Sequence, residues 1–216
     1  MPADLAHLRQ SWDQLCHGVA TPAQRQAVFD DLVLRYSEPH RHYHTLDHIA
    51  ACLDAFDQLR SLAAEPDVVQ TAIWFHDAVY DPRRADNEQR SADVADAAER
   101  SLGTSRAFRR AVRELILATR HDVTPPARDG DARLLVDIDL LIFAASPERF
   151  DAYEGAIRRE YAHVADEPFR AGRAAVIRRF LERPAIYLTP PIRERHEGAA
   201  RANLERSLRR WSGGAM

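Results

Sequence analysis

The sequence contains no lysine, and all 30 of its basic residues are arginine. That absence excludes lysine Schiff-base chemistry and a Walker-type phosphate loop, both of which need an ε-amino group. Cysteine is nearly absent as well. Cys16 and Cys52 form no CxxC pair and supply no disulfide framework, which fits a reducing environment and makes each an expected core-packing residue. No apolar run approaches the length of a membrane span. The opening residues, Met1 to His7, carry an early acid and neither a basic segment nor an apolar one, so they do not read as a secretion signal. The cytoplasm is the expected compartment. The net charge of −3 provides no global basic field, so neither a nucleic-acid nor a membrane partner is expected. Repeats, low-complexity stretches and a splitting linker are also missing. The 216 residues are therefore expected to form one domain around one substantial core.

Two-residue hydrophobic alternation is the last absence, and nearly every segment carries the helical period instead, which predicts an all-α fold. Leu5, Leu8, Trp12 and Leu15 mark a first helix ending near Gly18. Thr21-Pro22 reads as an N-cap with proline at the first helical position, opening a helix striped by Val28, Leu32, Val33 and Tyr36. From about His42 a long helix carries Ile49, Cys52, Leu53, Phe56 and Leu59, and it stops before Glu65-Pro66. The next helix runs to Asp81-Pro82 with the phase Val69, Ala72, Ile73, His76, Tyr80. Helices built on Ala92, Ala95 and Ala98, and then on Phe108, Val112, Leu115 and Ile116, follow; the second delivers His121-Asp122. Val123 to Gly130 is the longest loop-like interruption and a candidate rim or lid. Residues 132–144 are apolar almost all round. Ser146-Pro147 opens another helix, and one with Phe169, Ile177 and Phe180 runs to Arg183-Pro184. Thr189-Pro190-Pro191 starts a last, Arg-rich helix through Trp211, whose charged face is either solvated or a homodimer surface.

Against this background a few polar residues stand out. His44 and His48 are four apart, so on a helix they share a face. His76-Asp77 lies in an apolar helix, and Asp139 has Leu135, Val136, Ile142 and Phe143 as helical neighbours. An unpaired buried charge is costly and calls for a partner or a cation. One divalent ion held by two imidazoles and two carboxylates accounts for all of these placements, with Mn, Zn, Fe, Co, Ni or Mg as candidate identities. Taken singly, each has a plainer reading. His44 and His48 read equally as surface histidines, Asp139 as the partner of an arginine, and His121 as a cation at a helix C-terminus.

The order His, adjacent His-Asp, distant Asp on separate helices resembles the HD superfamily of metal-dependent phosphohydrolases. Tyr43-His-Thr-Leu-Asp-His48 is similar to the Y-H-N-x-x-H signature of cyclic-nucleotide phosphodiesterases, with Thr45 in place of the Asn. Tyr36-Ser-Glu-Pro-His-Arg-His-Tyr-His44, Trp74-Phe-His-Asp77 and Asn87-Glu-Gln-Arg-Ser91 resemble a bacterial subgroup of HD proteins. The resemblance implies an HD-like helical bundle with its metal-site core at about 36–145 and the helices of 146–212 packed on it. It implies His48, His76, Asp77 and Asp139 as metal ligands and His44 as general acid. Asp139 is preferred to Asp137 because the family's last ligand is followed by a basic or apolar residue and Leu, as in Asp139-Leu-Leu. The implied activity is hydrolysis of a small phosphate ester or nucleotide by metal-bound hydroxide. In it Asp77 accepts the water's proton, Arg41 forks onto a phosphate, and Glu88 and His121 contact substrate. A di-iron oxygenase and a non-catalytic nucleotide- or metal-binding regulatory module are the alternatives.

Overall fold

A computed structural model describes residues 4–120, 124–126 and 128–213. Among these residues the chain is all α, with ten α-helices, two 3₁₀ segments and no strand. Contacts group the chain into two compact units, 1–136 and 137–216, and the dividing point falls inside one continuous helix.

The first unit holds α1 (Leu5–Leu15), α2 (Pro22–Tyr36), α3 (Leu46–Leu59) with a 3₁₀ turn (Arg60–Leu62), α4 (Pro66–Phe75), α5 (Asn87–Ser101), α6 (Arg106–Ala118) and most of α7 (Gly130–Asp139). Thr21 opens α2 through a capping box, its hydroxyl accepting from the Gln24 N–H while the Gln24 side chain accepts from the Thr21 N–H at 3.0 Å. Gly18 and Gly103, at φ of 81° and 84°, take the left-handed conformation that stops the chain from continuing α1 and α5. α4 is the centre: it touches α1, α3, α5 and α6, and every residue from Val68 to Phe75 is buried. Around it Trp12, Trp74, Phe75 and Phe29 meet edge to face at 5.6–6.1 Å, and the Trp12 indole N–H donates to the Arg25 carbonyl at 3.0 Å. Each such fully buried aromatic contributes about 1.5–3 kcal/mol through burial alone. Cys16 and Cys52 are both buried.

Two boundaries differ from the sequence expectation, and both bear on the site. α3 begins at Leu46, because the Thr45 side chain caps it by accepting the Asp47 N–H at 3.3 Å. His44 therefore precedes the helix and does not share a helical face with His48. α4 ends at Phe75, so His76 is its C-cap and Asp77 lies in the turn beyond it. The expected rim or lid at Val123–Gly130, and His121-Asp122 before it, fall wholly or partly outside the described residues.

The second unit holds the end of α7, a 3₁₀ segment (Leu140–Ala144), α8 (Pro147–Glu160), α9 (Asp166–Leu181) and α10 (Pro190–Ser212). α10 packs on α9 and on the 3₁₀ segment. Two carboxylates pin the stretch before α10: Asp137 accepts the N–H groups of Leu188 at 2.8 Å and Thr189 at 2.6 Å, and Glu197 accepts those of Ile186 and Tyr187 at 3.0 and 3.1 Å. Glu154 is buried but paired, with Arg173 and with the Trp211 indole N–H at 2.6 Å.

Glu99 on α5 is buried without a strong ion pair. Burial pushes its carboxyl up to about 7, against the weaker opposing effects of the Thr104 hydrogen bond and the Arg109 charge. Since the unfolded chain ionises first, near the ordinary value of 4.5, stability falls as pH rises from about 4.5 to 7 and is flat above it. Glu99→Gln is expected to flatten this window and to raise stability at pH 8 by on the order of 2 kcal/mol. Urea unfolding at pH 4.5 and 8 measures both, and parallel profiles for the two proteins would show that Glu99 ionises normally.

Candidate metal centre

His48 sits in the first turn of α3 on the same inward stripe as Ile49, Cys52 and Phe56, and its side chain is almost wholly enclosed. His76 caps α4 and is 1% exposed. Its Nδ1 lies 2.9 Å from the Ile73 carbonyl oxygen. A carbonyl only accepts, so Nδ1 carries the proton and Nε2 is left with a lone pair directed inward. That lone pair faces His48 Nε2 at 3.1 Å and Asp77 Oδ2 at 3.2 Å, while His48 Nε2 is 3.6 Å from the same carboxylate oxygen. Asp139 arrives on the last turn of α7, the helix that runs unbroken from the first unit. Ligand atoms of His48, His76, Asp77 and Asp139 all lie within 4.8 Å of one another.

The 3.1 and 3.2 Å spacings are those of ligands sharing a cation, and the 3.6 Å one is slightly wider. Nitrogen and oxygen ligands about 2.1 Å from an ion stand about 3.0–3.4 Å apart in tetrahedral or octahedral arrangements. Two imidazole nitrogens at 3.1 Å also need a proton or a cation between their lone pairs. The Asp77 carboxyl is pulled both ways. Burial pushes it up, but the positive charge that the facing imidazoles of His76, His44 and His48 carry when protonated outweighs burial and holds it well below the usual carboxylate range. The donor set of two neutral nitrogens and two carboxylates suits a divalent first-row ion or magnesium.

The two acids of α7 divide their work. At 100° per residue they point about 200° apart around the helix. Asp137 is 0% exposed and occupied by the backbone of Leu188 and Thr189, whereas Asp139 is half-buried and belongs to the cluster. The fully enclosed carboxylate is thus Asp137, the reverse of what the apolar neighbours of Asp139 suggested.

His44 lies beside the cluster. Its ring stacks on Tyr80 at 4.0 Å, meets Tyr43 edge to face at 5.0 Å, and is 6.1 Å from the His48 ring. Arg41 is placed otherwise than a phosphate fork requires. Its side chain is 0% exposed, and the guanidinium donates to the carbonyls of His44 (3.0 Å), Asp77 (2.7 Å) and Ala78 (3.2 Å) and to Glu38 (2.9 Å). Glu88 is half-buried in the first turn of α5, outside the four-residue group, and His121 lies outside the described residues. Asn87 and Ser91 hold the turn after Asp77: Asn87 pairs with both backbone groups of Asp81, and the Ser91 hydroxyl accepts from the Val79 N–H at 3.0 Å. Tyr80, Tyr43 and Cys52 complete the walls, with Cys52 Sγ 3.8 Å from His48 Nδ1. Tyr80 was legible only as one more apolar position in the phase of His76; nothing in the sequence assigns it to His44.

Addition of Co²⁺ or Mn²⁺ at about 100 times its dissociation constant is expected to stabilise the chain by about 2.7 kcal/mol, reversed by a chelator. His76→Ala and Asp139→Asn should abolish this thermal shift; Asp139→Asn should change little in chelator, whereas His76→Ala also lowers stability there because the ring is buried and bonded to Ile73. Asp137→Asn should do the opposite, costing about 2–4 kcal/mol in chelator and leaving one ion per chain. Superimposable melting curves with ion and with chelator would remove the metal centre from consideration.

No protein-family model, curated protein or solved structure matches the chain, so the reading of the site rests on its own geometry.

Proposed function

We propose that the chain is a metal-dependent phosphohydrolase of the HD type, acting on a small phosphate ester or nucleotide. The observation that carries this reading is the convergence of two imidazole nitrogens and two carboxylates within 4.8 Å, on residues set in the order His, His-Asp, Asp. A divalent ion held there supplies Lewis acidity, acidifying water and offsetting the negative charge of a phosphoryl group.

The chain's own side chains supply the rest. His76 is fixed as the Nδ1–H tautomer by Ile73, so its orientation does not depend on ligand. Asp77 directs Oδ2 at the two imidazoles, and its other oxygen serves as acceptor for the proton of the attacking water. His44 is held by its stack on Tyr80 close to the cluster but outside it, and it is half-exposed. From there its role in this reading is to protonate the oxygen leaving phosphorus. Arg41, enclosed by backbone carbonyls, is left out of substrate binding; phosphate charge is met by the cation.

The test separates proton donation from metal binding. His44→Gln is expected to lower kcat for an alkyl phosphate by about 10²–10⁴ while sparing an aryl ester whose leaving group needs no proton, with metal content unchanged. Equal losses on the two substrates would take the acid role from His44. A metal-loaded wild-type protein that releases no phosphate from mono- and diester panels would sink the hydrolase reading.

A further inference from the structure

Arg41, three residues before His44, binds none of the four candidate ligands through their side chains, yet it is among the most completely engaged groups in the first unit. The Arg41 guanidinium bridges two segments 36 residues apart: one Nη reaches both the His44 and the Asp77 carbonyls, and the other reaches Ala78. Its faces are covered by Tyr36 and Tyr80, with the guanidinium carbon 5.1 and 5.7 Å from their ring centroids. Tyr36 is itself tied to the end of α4 through the Trp74 carbonyl at 2.9 Å. Beside it, His40 Nε2 lies 2.7 Å from the Tyr80 carbonyl oxygen. The segment 38–44 is therefore riveted to the turn 77–80 by cationic and imidazole donors on backbone oxygens.

We infer that Arg41 is a positioning residue: a buried cationic staple that fixes the separation between His44 and the ligand turn at Asp77, and through it the affinity of the metal centre. The functional half of this inference rests on the metal-site reading above; the geometric half does not. Three carbonyls from two separate segments are met by one planar fork from a single point. A lysine ammonium has the charge but not the fork, so it satisfies one segment at a time. Arg201 provides the comparison within the same chain. It also donates to backbone carbonyls, those of Leu181 at 3.0 Å and Arg183 at 2.8 Å, and pairs with Glu197, but in the second unit and outside the four-residue cluster.

The experiment compares Arg41→Ala, Arg41→Lys and Arg201→Ala by two readouts in the full chain. Hydrogen exchange in chelator reads the staple itself, and Co²⁺ titration by its visible absorption reads the site. For both Arg41 variants, exchange is expected to quicken in 42–48 and 76–81 and Co²⁺ affinity to fall about 10–100-fold. Arg201→Ala should loosen its own neighbourhood and leave Co²⁺ affinity within about twofold of wild type, since its hydrogen bonds reach neither 42–48 nor 76–81. Should Arg41→Ala fail to fold, Arg41→Lys carries the comparison. Wild-type exchange in both segments of Arg41→Lys, or equal losses of Co²⁺ affinity in the Arg41 and Arg201 variants, overturns the inference. A wild-type chain that takes up no Co²⁺ sinks the metal centre instead, and the exchange comparison still decides the staple.

Discussion

A helix that ends inside a hydrophobic core leaves backbone carbonyls that solvent cannot satisfy. α4 is such a helix, with every residue from Val68 to Phe75 buried, and its chain turns away at His76 with carbonyls still to be satisfied. The first unit answers with side chains from far along the sequence. Arg41 takes Asp77 and Ala78, Tyr36 takes Trp74, and His40 faces Tyr80. Those donors also determine where His76 and Asp77 can point. The same closure that satisfies the helix end assembles the candidate site.

The chemistry of the site follows from which partner each polar group already has. His76 gives its Nδ1 proton to Ile73, so its Nε2 is committed to the interior. Asp137 and Asp139, two residues apart on one helix, meet different surroundings: one is consumed by the Leu188 and Thr189 amides, the other stands among the imidazoles. Carboxylates on an apolar helix are interchangeable by composition and become distinct only through their partners. Arg41 illustrates the converse, since a residue beside the candidate metal cluster is taken up by backbone carbonyls. Glu99 marks the cost of incomplete partnering, a buried acid whose carboxyl is pushed up to about 7.

Much of this was legible in the amino-acid sequence, because it depends on local physics. The 3.6-residue period fixed the helical class. Thr21-Pro22, Ser146-Pro147 and Thr189-Pro190 marked helix starts that the structure shows, since capping and proline's fixed φ act within one turn. The choice of His48, His76, Asp77 and Asp139 came from chemical type, order and resemblance, and the four do lie together. Where periodicity was extended too far it failed for a definite reason: His44 was placed on α3 and His76 inside α4, but Thr45 caps the first helix and the enclosed turn at Asp77 ends the second.

By itself, then, the sequence determined that the chain is helical, where most helices start, and which residue types could hold a divalent ion. Only the tertiary structure decided which carboxylate of α7 joins the imidazoles, that His44 leans on Tyr80 outside the helix, and that Arg41 is withdrawn from solvent. The physical reason is that helix formation and capping are set by neighbours within about four residues. The role of a buried polar group is set by whichever donor or acceptor is brought to it from tens of residues away.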